Sequence, residues 1–299
     1  MPRTASRLLL LLAKAIKAIW SVFTDFWNTS TRIWGTVEGS LLSEYGGAAA
    51  AYSLRILSAS TTNVVKVRRS GDDAELDFTA SQVSGGTLEA WVVAGGGTED
   101  GFVTTWYDQL GNSNNGTQAT AASQPKIVSS GTLVTENGKA ALDFDGTDDY
   151  LSVNTGFSQP VFVSLVVKNI KSSASFPYYL DSNSTGRFLL YVEDASGITA
   201  SAAYSTLLRL NSNVIKTVQS LISCLYNTTS SFIAIDGQEV VSGAIDTNNI
   251  NSPLYIGSRN TLAQFMQGTF QEIIIYPSDE SANRTGIEAN INAHYNIYP

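Results

Sequence analysis

The chain has 299 residues, 43% of them hydrophobic and only 15% charged, where globular proteins average about 25% charged. Its net charge is −8, with one cysteine, Cys224, and one histidine, His294. These counts exclude a disulfide framework and a cysteine zinc cluster, argue against a Ser-His-Asp machine, and leave any catalysis to carboxylates.

Charge is unevenly spread. The first forty residues hold five basic and two acidic side chains, and the remainder is strongly acidic, which speaks against nucleic-acid binding by the body. "SRLLLLLAKAIKAIWSVFTDFW" opens basic and turns apolar, as a secretory signal does. Lys14 and Lys17 interrupt the run, which is short of the ~20 apolar residues of a membrane span. Leu9, Leu12, Ile16, Ile19, Phe23 and Phe26 recur at spacings of 3 and 4, the seam of a coiled coil. A lone helix would leave this surface in water, so a protein partner is expected, a membrane surface being the alternative. Residues 1–47 are accordingly read as a helical attachment segment, with a homotrimer expected from the mixed Leu, Ile and Phe seam.

After Gly46 and Gly47, "AAAAYSLRIL" reads as a short helix leading into the strand "NVVKVRRS". From there, apolar runs alternate with turn signals at roughly 8–12-residue intervals, the spacing of a β-sandwich. Val103 to Trp106 form a strand that ends at the Gly/Asn-rich loop 111–116. Trp106 and Tyr107 face opposite sides, so Trp106 is assigned to the core. Asp108 is expected to organise the loop by accepting backbone N–H groups. The alternative makes this a sugar site, with Tyr107 stacking and Asp108, Asn112 and Asn114 around it.

"KAALDFDGTDDYLSV" reads as two strands joined at Asp145-Gly146, and "SFIAIDGQEVVSG" as two joined at Asp236-Gly237. Asp143, Asp145, Asp148 and Asp149 form the densest carboxylate group. Asp143 and Asp145 share a strand face, so a Ca²⁺ site is conceivable, the one cofactor the sequence admits; solvated turn chemistry is the favoured reading. "PVFVSLVVKNI" reads as a central strand and "GTFQEIIIYP" as the last one. Ser278 is expected to cap a closing helix with Ile287, Ile291 and Tyr295 on one face. Cys224 is expected to be a buried, inert thiol.

"ALDFDGTDDYLSV", "LYNTTSSFIAIDGQEV" and "PLYIGSRNTLAQFMQGTFQEIIIYP" together resemble the concanavalin A-like lectin/glucanase jelly roll, with laminin-G-like domains of phage and bacterial surface proteins as the group most alike. "AAYSLRIL…VKVRRSGDDAE…FVTTWYDQLGNSNNGTQATAASQP" resembles the N-terminal part of the arabinofuranosidase B catalytic domain. The resemblance covers residues 48–299 and implies an all-β jelly-roll sandwich closed by a short C-terminal helix. The Glu-x-Asp-x-x-Glu strand of the glucanases is absent; Glu75-Leu76-Asp77 comes nearest. No catalytic residue can be assigned, so a non-enzymatic bacteriophage virion protein is expected: a fibre, spike or decorating subunit on the particle surface, held to other virion proteins by its N-terminal helix and binding a cell-surface glycan. The alternative is a glycoside hydrolase acting on arabinose-containing polysaccharides.

Overall fold

The computed structural model describes residues 40–94, 96–170, 176–182, 187–192, 198–204, 209–215 and 217–299. The seam from Leu9 to Phe26 lies outside the described residues.

Two antiparallel layers make up the body. The first runs β3 (Glu75–Phe78), β2 (Val65–Arg69), β4 (Gly101–Trp106), β5 (Gly116–Thr117), β11 (Leu151–Val153), β20 (Leu254–Ile256), β13 (Tyr178–Ser182), β14 (Arg187–Val192), β15 (Ile198–Tyr204) and β16 (Arg209–Ile215). The second is built on β21 (Gln267–Tyr276), flanked by β12 (Val161–Asn169) on one edge. Its other edge pairs with β1 (Ala50–Ser53) and β10 (Leu142–Asp145). β17 (Ser220–Tyr226), β18 (Ser231–Ile235) and β19 (Gln238–Gly243) extend the layer beyond β12. The layers meet at β6 (Lys126–Ser129), which pairs with both β4 and β10.

The strands' alternation explains the sandwich. Val103, Trp106, Leu151, Leu180 and Ile256 of the first layer share one apolar core with Leu142, Val163, Leu165, Ile273 and Ile275 of the second. The second layer's other face carries Phe162, Val166, Leu225 and Ile274, which pack on α1 (Leu41–Glu44) and α4 (Arg284–Tyr295) through Leu41, Ile287, Ile291 and Tyr295. A strand covered on both faces needs an unbroken apolar run, and β12 is buried at all but one of its nine positions. The all-β jelly-roll-like sandwich with its short closing helix is therefore what the chain forms.

Four local readings are corrected. "AAAAYSLRIL" holds the strand β1, because its Ala50–Ser53 backbone completes the edge of β21. Asp145-Gly146 does not make a hairpin: β10 pairs with β21 and β6, β11 with β20 and β5, so the turn crosses between layers. Ser278 does not cap α4, whose first residue is Arg284; its hydroxyl donates to Glu280 instead. The fourth is an omission: α2 (Ala80–Ser84) and α3 (Thr87–Val93) were signalled only by the capping box of Thr79 and Gln82, whose two hydrogen bonds are both made. By contrast, Asp236-Gly237 joins paired strands with φ of 51° and 81°, as a two-residue hairpin requires.

Candidate functional site

The loop after β4 is architectural. Trp106 is wholly buried. Asp108 accepts the N–H groups of Ala51 at 3.0 Å and Leu110 at 3.2 Å. Asn112 and Asn114 each donate to the Ala49 carbonyl, at 3.3 and 2.9 Å, and the Tyr52 hydroxyl donates to the Asn114 carbonyl. These side chains tie the loop to the chain around β1, while Asp108 Oδ2 is buried without a hydrogen-bond partner among the described residues and, with Tyr107, lines a cleft of about 240 Å³. Tyr107 differs. It is partly exposed on the outer face and donates its hydroxyl to Asp77 Oδ1 at 2.6 Å. Burial and the Asp77 charge push its phenol above the ordinary value.

Asp145, Asp148 and Asp149 do converge, with one oxygen of each within 4.8 Å of the others, while Asp143 stays outside the group. The group makes a turn. Asp145 Oδ1 accepts the N–H groups of Thr147 and Asp148, Asp149 Oδ2 accepts that of Asp145, and Asp148 Oδ2 accepts the Ser123 hydroxyl. Burial, reinforced by the neighbouring carboxylates, raises Asp149 to about 7. A donor set of three carboxylates is the chemistry a hard cation takes; one oxygen of each is engaged, those of Asp145 and Asp149 within the turn and that of Asp148 by Ser123.

A different site emerges from the strand register. Residues directly opposite one another on neighbouring strands share a face. Lys66 opposes Asp77 and Thr105, Thr105 opposes Thr117, and Thr117 opposes Ser152. Ser152 in turn opposes Tyr255, Tyr255 opposes Asp181, and Asp181 opposes Leu189. This row crosses eight strands on the outer face of the first layer, away from the shared core.

At its Asp181 end the row becomes a built site. Asp181 is fully buried and accepts the Asn260 N–H at 2.8 Å. Tyr255 lies beside it, its phenol raised by burial and then by Tyr150 and Asp181, with the Tyr150 ring centroid 6.0 Å away. Tyr178 and Tyr191 stack at 5.1 Å and 15°, forming with Leu189 a small apolar cluster of their own.

The loop between β20 and β21 seals this end. It leaves β20 at Gly257, whose φ is +85° and where a Cβ would come within 2.5 Å of the Phe144 ring, so only glycine fits. It is held by Tyr178 N–H to the Gln264 carbonyl and Gly257 N–H to the Tyr179 carbonyl. Ser258 Oγ, Arg259 Nε and Asn260 Oδ1 in this loop are buried without a hydrogen-bond partner among the described residues. A buried unpaired polar group costs about 1–3 kcal/mol, so this loop is held over Asp181 at some expense of stability. Nothing in "YYLDS" or "IGSRN" alone announces this; only the pairing of strands seventy residues apart does.

The face is chemically suited to a sugar: tyrosine rings to stack on, a carboxylate and an amide to bind hydroxyls. Among the described residues, its carboxylates include Asp181 and, six strand spacings away, Asp77, with Glu75 two residues before Asp77 on the same strand face. At about 4.8 Å per spacing Asp181 and Asp77 stand roughly 29 Å apart, far beyond the ~5–9.5 Å separation of a glycosidase pair. Asp181 and Asp77 therefore do not act together.

No family model matches the chain, and no curated protein is significantly similar to it. Solved structures are. A GH54 α-L-arabinofuranosidase soaked with a cyclic sulfate inhibitor matches with a TM-score of 0.65 at 16% identity. An arabinofuranosidase complexed with arabinofuranosyl-α-1,2-xylobiose matches with 0.63 at 15%. Each match covers 85% of this chain, and this chain spans 64% of the length of each enzyme. At such identity the likeness establishes the fold. The same finding corrects the expectation of a non-enzymatic virion protein: the two solved structures that share this architecture over most of the chain are arabinofuranosidases.

Proposed function

We propose that this domain is a glycoside hydrolase acting on arabinose-containing or related polysaccharides, and that its substrate binds on the outer face of the first layer around Asp181. The observation that carries this reading is the juxtaposition there of one buried carboxylate, the Tyr255 ring opposite it with Tyr150 beside that ring, and the 258–260 loop, whose Asn260 N–H the carboxylate accepts. The fold shared with two arabinofuranosidases supports it and supplies the substrate class. Hydrolysis needs two carboxyl groups. One gives its proton to the glycosidic oxygen as the C–O bond breaks; the other takes up the anomeric carbon, directly or through an activated water. Asp181 is assigned one of these places, its Oδ2 fixed by the Asn260 N–H.

The test is release of arabinose from arabinoxylan and arabinan by the full chain and by Asp181→Asn. The parent releases sugar, and the variant, folded by circular dichroism, is slower by about 100-fold or more. Substituting each remaining acid by its amide then identifies the second carboxyl. A parent that neither releases sugar from nor is retained by these polysaccharides overturns the reading, as does an Asp181→Asn variant of full activity.

A further inference from the structure

A second cleft, of about 450 Å³, lies between Ile56, α2, the hairpin of β8 (Thr135–Glu136) and β9 (Lys139–Ala140), and the C-terminal end of α4. Its volume is in the range of small-molecule sites. Leu54, Ile56, Val83 and Leu133 give it apolar walls, and Ile56 remains exposed at the rim.

The titratable groups of the lining are Arg55, Lys139, His294 and Tyr295; no aspartate or glutamate takes part. Beneath the floor, Glu272 is fully buried but already committed. It takes both Nε and Nη2 of Arg55, at 2.8 and 2.9 Å, and the hydroxyls of Ser53 and Tyr295. Arg55 gives Nη1 to Asn290, so each of its three nitrogens already has a partner. The carbonyls of Tyr295 and Asn296 at the end of α4 are met by the Asn137 amide, which withdraws that helix terminus as a partner. What remains is the Lys139 ammonium, which lines the cleft together with His294 and has no ion pair among the described residues; Glu136, opposite it across the hairpin, is taken by Lys168 at 2.9 Å. Burial, then Arg55 and Lys139, hold the His294 imidazole down at about 4, with Glu272 opposing weakly, so at neutral pH it is an uncharged donor or acceptor.

We propose that this cleft binds a small organic carboxylate with an apolar body, its acid group between Lys139 and His294 and its body against Leu54, Val83 and Leu133. In an acidic chain of net charge −8, an acid-free cleft holding an unpaired ammonium is a place where an anion is attracted rather than repelled. A neutral ligand of the same shape would gain the walls but not the charge.

The single histidine makes the test direct, since His294 gives the chain's only imidazole resonances. Benzoate and benzyl alcohol are titrated into the full chain and followed by NMR. Benzoate is expected to shift the His294 resonances saturably and to raise the pKa of that ring, because a bound anion offsets Arg55 and Lys139. Benzyl alcohol binds about tenfold more weakly or not at all, and Lys139→Met weakens benzoate about tenfold. Lys139→Met alone also raises the His294 pKa, because it removes a cation that disfavours the imidazolium. No saturable shift with benzoate up to about 10 mM, an equal response to the alcohol, or an unchanged affinity in Lys139→Met overturns the proposal.

Discussion

Glu272 has no exposed surface, and Arg55, Ser53 and Tyr295 all converge on it. A buried ion pair adds little net stability, yet removing one partner strands the other charge. Arg55→Met is expected to cost about 3–5 kcal/mol in urea unfolding, and the double variant Arg55→Met with Glu272→Leu to regain most of it. Asp149 gives a pH signature. Its folded pKa, raised to about 7, lies above that of the unfolded chain, so the native state holds a proton that the unfolded state releases. This proton stabilises the fold at acid pH, and the benefit is lost as pH rises from about 4 to 7. At about 1.4 kcal/mol per unit the loss is a few kcal/mol, and Asp149→Asn should flatten that part of the stability profile measured by thermal melts. The roles of Trp106 and Asp108 were legible from strand alternation and Asp turn chemistry, both local. Asp181 was not, because its surroundings come from Tyr255 and Asn260, far along the chain.

Elements were legible where propensity and packing agree. β12 and β21 announce themselves as long apolar runs, and the Asp236-Gly237 hairpin follows from its turn residues. β1 was misread because Ala-rich sequence favours a helix, and only the waiting edge of β21 makes Ala50–Ser53 extended. Asp145-Gly146 misled for a similar reason: the same dipeptide serves a hairpin or a crossing between layers, and the partner strands decide. Gly286 shows how a poor helix residue can be required. A Cβ there would run into the Tyr45 hydroxyl. Gly286→Ala is therefore expected to destabilise the protein, while in a Tyr45→Ala background it should stabilise by about 1 kcal/mol, the ordinary helix preference. Additive effects in that double-mutant cycle would refute the close approach.

At the scale of the molecule, the jelly-roll sandwich could be read from strand spacing and the resemblance of "ALDFDGTDDYLSV" and its companions. The virion role could not, since it rested on the attachment segment 1–47 and on a missing carboxylate motif rather than on the face that carries Asp181. The central strand β21 also has a consequence in time. It is the partner of β1, β10 and β12, yet it is synthesised about a hundred residues after β12 ends. At 5–20 residues per second the ribosome takes roughly 5–20 s to cover that stretch, and throughout it the nascent segment "VFVSLVV" has no second neighbour to cover its edge. An apolar strand left open in this way recruits other chains. Chains released before residue 267 should accordingly sediment with aggregates or be captured by chaperones, whereas chains extended through Tyr276 should turn protease-resistant soon after that strand clears the exit tunnel.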